Sequence, residues 1–151
     1  NKNSNPKDIL FLRKQLMDVM WEKVGIIRDE KNLKEGIIQI TNLEQNINNI
    51  GMDDKNLEFN ITWHDWLNLR SLVDISKVIA KASLERTDSR GAHFRKENPE
   101  SGPLEESKFT VAQIIEGDLK VTEKPVDFSI VKPGQSLLKN DEPTSMIEVA
   151  E

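Results

Sequence analysis

The chain has 151 residues, 36% hydrophobic and 31% charged, with a formal net charge of -5 and no cysteine. That length supports one core able to withdraw about 68–70% of the extended chain's surface from water, and the lack of thiols excludes a disulfide framework, a cysteine nucleophile and thiolate-held zinc or iron–sulfur sites. The two histidines, His64 and His93, exclude a three-histidine metal centre, and the longest apolar run, Ile9–Leu12, is far short of the roughly 20 residues of a membrane span.

The expectation is therefore a soluble chain that does not span a membrane and holds no metal. It opens on Asn1 with no basic-then-apolar leader, as an excised piece would. Residues 1–108 hold 17 Lys and Arg against 18 Asp and Glu, whereas 109–151 hold 4 against 8. A balanced body with an acidic tail is a poor electrostatic footprint for nucleic acid.

In chain order, Ile9, Leu12, Leu16, Val19, Met20 and Val24 follow the 3.6-residue period of an amphipathic helix. Asn5 can cap it, Pro6 suits its first turn, and Gly25 is expected to end it in a left-handed conformation. A second stripe, Leu33, Ile37, Ile40, Leu43, Ile47 and Ile50, predicts a helix from about Asp29 to Ile50 closed by Gly51, with Gly36 weakening its interior. Asp53 to Ile61 reads as a polar connection. Thr62, with Asp65 three residues on, is the expected cap of a third helix reaching about Glu85. Its apolar positions are Trp66, Leu69, Leu72, Val73, Val78, Ile79 and Ala82, and its length would be about 35 Å.

Beyond Thr87, residues 88–107 carry Gly91, Pro99, Gly102 and Pro103 and read as a loop without a period. Phe109–Ile115 and Leu119–Val121 flank the turn signal Gly117-Asp118, which predicts a small hairpin. An isolated hairpin is marginal in water, so it must lean on the bundle or on another domain. The expected fold is mainly α, an antiparallel three-helix bundle of spectrin-repeat type over residues 1–87. Residues 88–135 form a loop and β-hairpin packed on it, within the same domain, and 136–151 an acidic flexible tail.

The seven glycines are scattered, and none follows a strand and opens a helix, so no dinucleotide or phosphate cradle is visible. The carboxylate pairs Asp53-Asp54 and Glu105-Glu106 lie in polar connections and read as solvated surface. His64, beside Trp63 and Trp66, reads as a partly exposed packing residue. One dense cluster stands out: Arg86, Arg90, Arg95 and Lys96 with His93 around Asp88, at the end of the longest helix. Cations favour the negative end of the helix dipole there, so capping is one account, but the grouping of guanidinium forks, a Gly and a His favours a polar-contact loop. Guanidinium forks beside a flexible Gly91 also suit holding carboxylates or carbonyls in fixed orientation. Ser89 and His93 could be nucleophile and base, but no third orienting group accompanies them.

The stretch Glu85-Arg86-Thr87-Asp88-Ser89-Arg90-Gly91-Ala92-His93-Phe94-Arg95, with Pro99 soon after, resembles the Ser-Arg-Gly-x-His-x-Arg signature of the C-terminal domain of flavoproteins of the succinate dehydrogenase, fumarate reductase and L-aspartate oxidase family. Leu16-Met17, Val24-Gly25-Ile26-Ile27-Arg28, Trp66-Leu67-Asn68-Leu69 and Ala80-Lys81-Ala82-Ser83 resemble its helices, and Phe109-Thr110, Lys124-Pro125-Val126 and Pro133-Gly134 its last segment. The similarity covers about residues 8–134.

The resemblance implies FAD in the full-length protein, bound by flavin and capping domains that lie outside this chain and carry the histidines and the arginine proton donor of catalysis. This fragment would then bind no FAD, hold no catalytic residue and be inactive by itself. Arg86, Ser89, Arg90, His93 and Arg95 would face the flavin domain and brace it. The implied partners are those two domains and an iron–sulfur subunit, which would hold a cytoplasmic protein peripherally at the inner membrane. Lys96 and Pro99-Glu100-Ser101-Gly102-Pro103 depart from the family pattern, which has an acid after the second Arg and an Arg-Asp-Asp run. The rival reading is an independent helical interaction module anchored by Trp21, Trp63 and Trp66. Nucleic-acid binding through Arg86–Lys96 is disfavoured, because Phe94 alone offers a stacking face.

Overall fold

A computed structural model of the chain describes residues 6–50, 56 and 58–135. Three helices dominate: α1 (Pro6–Val24), α2 (Glu30–Asn49) and α3 (Ile61–Glu85). Each packs against both others. Their apolar stripes meet in one core whose largest fully buried side chains are Leu33, Ile40, Ile47, Leu69 and Val73, with Ile9, Leu12, Leu16 and Val24 contributed by α1. Ion pairs clasp the rims, Lys23 to Glu35 across α1 and α2 at 2.8 Å and Lys77 to Glu44 across α2 and α3 at 2.7 Å.

The helix ends differ from expectation in instructive ways. Asp29 caps α2, its carboxylate accepting from the Asn32 amide. The α3 cap is Asn60, whose side chain accepts from the Trp63 amide at 2.8 Å, so Thr62 is already inside the helix. An amide oxygen held at an extended backbone position is an equally good acceptor for a free helix amide, and Asn60 occurs two residues earlier. Gly25 does follow α1, but its φ is not left-handed. Its lack of a side chain serves close approach, since a Cβ there would lie 2.7 Å from the Trp21 carbonyl oxygen. Gly36 is likewise a contact point, where a Cβ would meet Lys23 Cβ at 3.0 Å and Val24 Cγ2 at 3.2 Å. The expected caps Asn5 and Gly51, and the 136–151 tail, lie outside the described residues.

Along α3 the buried stripe is Leu69, Val73, Ser76, Ala80 and Ser83. Leu72 and Ile79 remain substantially exposed. The small side chains toward its C-terminal end leave room for the neighbouring elements, which the apolar count alone does not reveal.

Among the described residues four strands accompany the helices. β1 (Ile27–Arg28), in the turn between α1 and α2, pairs in parallel with β2 (Phe94–Arg95), Ile27 opposite Phe94 and Arg28 opposite Arg95. β3 (Lys108–Ile115) and β4 (Asp118–Pro125) form an antiparallel hairpin with register Lys108 to Pro125 through Ile115 to Asp118. Its turn residues, Glu116 and Gly117, have φ of 54° and 88°, the double positive φ that matches the twist of a two-residue hairpin. The return strand is longer than Leu119–Val121. Both strands lean on α3, with Leu119, Val121 and Glu123 alternating toward partial burial.

Candidate functional site

The motif segment begins where α3 ends. Its last carbonyls need partners, and Arg95 supplies them: Nη1 donates to the carbonyls of Ser83 at 3.0 Å, Leu84 at 3.2 Å and Arg86 at 3.2 Å. Its Nε donates to Glu97 at 3.2 Å, and the side chain is only 4% exposed. One guanidinium thus caps a helix from a strand ten residues further along the chain.

Ser89, equally buried, ties the loop to itself. Its hydroxyl accepts from the Arg95 amide at 2.8 Å and donates to the Asn98 carbonyl at 2.5 Å. Between them, Gly91 takes a φ of 58° in a tight turn closed by reciprocal backbone bonds between Arg90 and His93, at 2.8 and 3.1 Å.

His93 sits at the centre of this corner. Its Nε2 faces the Arg86 carbonyl at 3.0 Å, so it donates there, and Nδ1 is left to accept from Arg28 Nη1 at 2.6 Å. Burial, together with the charges of Arg28, Arg86 and Arg95, pushes its pKa below the ordinary 6.5. The ring is therefore a neutral bridge between two elements. As a base for Ser89 it is misdirected, because both ring nitrogens and the serine hydroxyl have other partners.

Arg86 and Arg90 line the rim. Arg86 pairs with Asp88 at 2.9 Å and donates to the Lys108 carbonyl at 3.2 Å, linking the end of α3 to β3. Arg90 reaches the carbonyls of Gly102 and Pro103 at 3.1 and 3.3 Å and lies 3.6 Å from Asp88. Burial works to raise the Asp88 pKa, but the Arg86 hydrogen bond and the two guanidinium charges outweigh it and hold the carboxyl below its usual range.

Three residues of this corner were missed by sequence reasoning. Arg28 also donates to the Val24 carbonyl. Asp29 pairs with Lys96 at 2.8 Å, and Glu97 accepts from the Glu30 amide at 2.6 Å. Lys96 and the Asn32 amide bring Asp29 down to a pKa of about 2. Only the Val-Gly-Ile-Ile-Arg stretch pointed toward this turn, and nothing in its spacing places it beside His93. Of the three tryptophans, Trp66 packs on the core, donating to the Ile47 carbonyl with Arg70 over its face, while Trp21 is 84% exposed. Asp53 and Asp54 lie outside the described residues, and Glu105-Glu106 sits in an exposed 3-10 turn.

The strand-to-helix junction from β1 to α2 is the place where a pyrophosphate would seek free helix amides. Those amides are taken by this chain's own carboxylates, Asp29 on Asn32 and Glu97 on Glu30. Among the described residues, no group of three or more His, Asp or Glu gathers to hold a metal.

Comparison with known proteins agrees with the motif. The family described as fumarate reductase flavoprotein C-term matches residues 13–138. An uncharacterised FAD-dependent oxidoreductase of Methanocaldococcus jannaschii is 34% identical over 62% of this chain and 16% of its own length. The succinate dehydrogenase flavoprotein subunit of Coxiella burnetii is 29% identical over 73% and 19%. The solved structure of Mycobacterium smegmatis Sdh1 in complex with UQ1 superimposes with a TM-score of 0.67 at 30% identity, over 82% of this chain and 21% of that one. The chain thus spans under a fifth of the length of these two curated relatives. The helical fold, the motif corner and the extent of the match place it in one family: the chain belongs to the C-terminal domains of fumarate reductase and succinate dehydrogenase flavoproteins.

Proposed function

We propose that this chain is the non-catalytic brace of an FAD-dependent dicarboxylate oxidoreductase, docking against the flavin and capping domains of the same polypeptide. The bundle and hairpin act as one unit, and FAD is held outside it. An iron–sulfur subunit is the proposed further partner, through which a cytoplasmic protein would sit peripherally at the inner membrane; no described helix is long and apolar enough to cross one.

The observation that carries this reading is the direction of the motif's side chains. Ser89 and Arg95 are spent on the chain's own backbone, and His93 bridges Arg28 and Arg86. The signature therefore builds a rigid corner. Of the residues expected to face the flavin domain, Arg86, Arg90 and His93 remain partly exposed at its rim and are the proposed contacts, while Ser89 and Arg95 hold them in place. The test is direct. Mixed with FAD and either fumarate plus a reduced dye or succinate plus an oxidised one, the 151-residue chain is expected to retain no flavin on gel filtration and show no turnover. A stoichiometric yellow complex would overturn the reading.

A further inference from the structure

Two grooves meet at Arg90 and Lys108. The outer one also holds Asp88, Glu106 and Glu123, and there Lys108 lies 3.1 Å from Glu123. The inner one runs between the last turn of α3 and the start of β3. Ile79, Arg86, Arg90, His93, Lys108 and Thr110 line it, and no lining residue is acidic. Arg86 and Arg90, 18% and 23% exposed, share the single carboxylate of Asp88. With Lys108 paired to Glu123, the two guanidinium groups have only Asp88 as an ion-pair partner within 4 Å among the described residues, the acid Glu106 lying on the outer groove and outside that distance. At the wall, Arg90 Nε and Thr110 Oγ1 have no hydrogen-bond partner. Partly desolvated charge and orphaned polar atoms are costly unless something supplies the missing partner.

We propose that the inner groove receives one Asp or Glu side chain from the flavin-domain portion of the complete flavoprotein. The inference rests on the bracing reading and names its chemistry. A carboxylate carries the single negative charge that the imbalance calls for, and its oxygens suit paired guanidinium donors. Ile79, 40% exposed, offers apolar surface to the methylenes behind the carboxylate.

The experiment compares the temperature of FAD release from the complete flavoprotein, followed by flavin fluorescence, in three variants. Lys108→Gln is expected to lower it reproducibly at low salt, and the difference is expected to fade near 1 M salt, where the Debye length is about 3 Å. Glu123→Gln, which breaks the same internal ion pair but leaves the groove's charge, is expected not to lower it, and Lys108→Arg to match wild type. Equal losses in Lys108→Gln and Glu123→Gln, a loss independent of salt, or no loss in Lys108→Gln would each overturn the groove while leaving the brace intact. Unchanged FAD retention after removal of the whole domain would instead overturn the brace itself, and the groove with it.

Discussion

Arg95 shows how much one buried cation can organise. Its guanidinium satisfies carbonyls at the end of α3 that no backbone amide reaches, and its neutralising partner Glu97 is itself bound to the first amide of α2. Arg95→Ala would leave those carbonyls unpaired, at about 1–3 kcal/mol for a buried unsatisfied group. A loss of about 2–4 kcal/mol is expected by urea denaturation of the chain; a loss below 1 kcal/mol would mean that water replaces the guanidinium freely. His93 gives the corner a pH dependence whose sign follows from its lowered pKa. Between 6.5 and the lower folded-state value the unfolded chain binds more protons, so stability is full above 6.5 and falls as the pH drops through that window. Asp29 adds a second loss, from 3.8 down toward 2. Thermal melts from pH 8 to pH 2 should show both, and His93→Gln should remove only the upper one; an unchanged upper limb in that variant would rule out His93 as its source. The sequence put these residues in one cluster because they are neighbours in the chain. It could not say that Arg95 and Ser89 point inward, since that depends on where α3 ends in space, nor that Arg28, 65 positions from His93, completes the set.

Elements were easier to read than their junctions. The stripes of α1 and α2 announced themselves because a helix repeats its buried face every three to four residues over many turns. β1 and β2 are two residues each and pair only because the α1–α2 turn and the motif loop meet, so no local pattern could reveal them. Gly36 illustrates the same limit. In an exposed helix, Gly to Ala gains about 1 kcal/mol; here the added carbon would press on Lys23 Cβ, one bond from the α1 backbone, and overpacking costs about 1–3 kcal/mol. Gly36→Ala is therefore expected to lower the melting temperature by about 2–4 °C. A rise would show that α1 shifts without resistance.

At the scale of the whole molecule, the chain's surface differs from its core in a way that fits a docked domain. Leu10, Met17, Trp21, Ile26 and Ile27 are each at least 60% exposed around α1 and β1, more apolar side chain than scattered surface residues require. The inner groove, lined by Arg86, Arg90 and Lys108 and by no acid, adds a cationic surface at the motif corner. Both features are accounted for if most of the protein's length, as in the relatives, lies against this domain. The most direct measurement is Arg90→Ala in the complete flavoprotein, with the rate of FAD loss and the Michaelis constant for dicarboxylate determined on the same preparation. Faster FAD loss with the Michaelis constant nearly unchanged is the result expected of a brace. Normal FAD retention with only a raised Michaelis constant would place Arg90 at the substrate and contradict it.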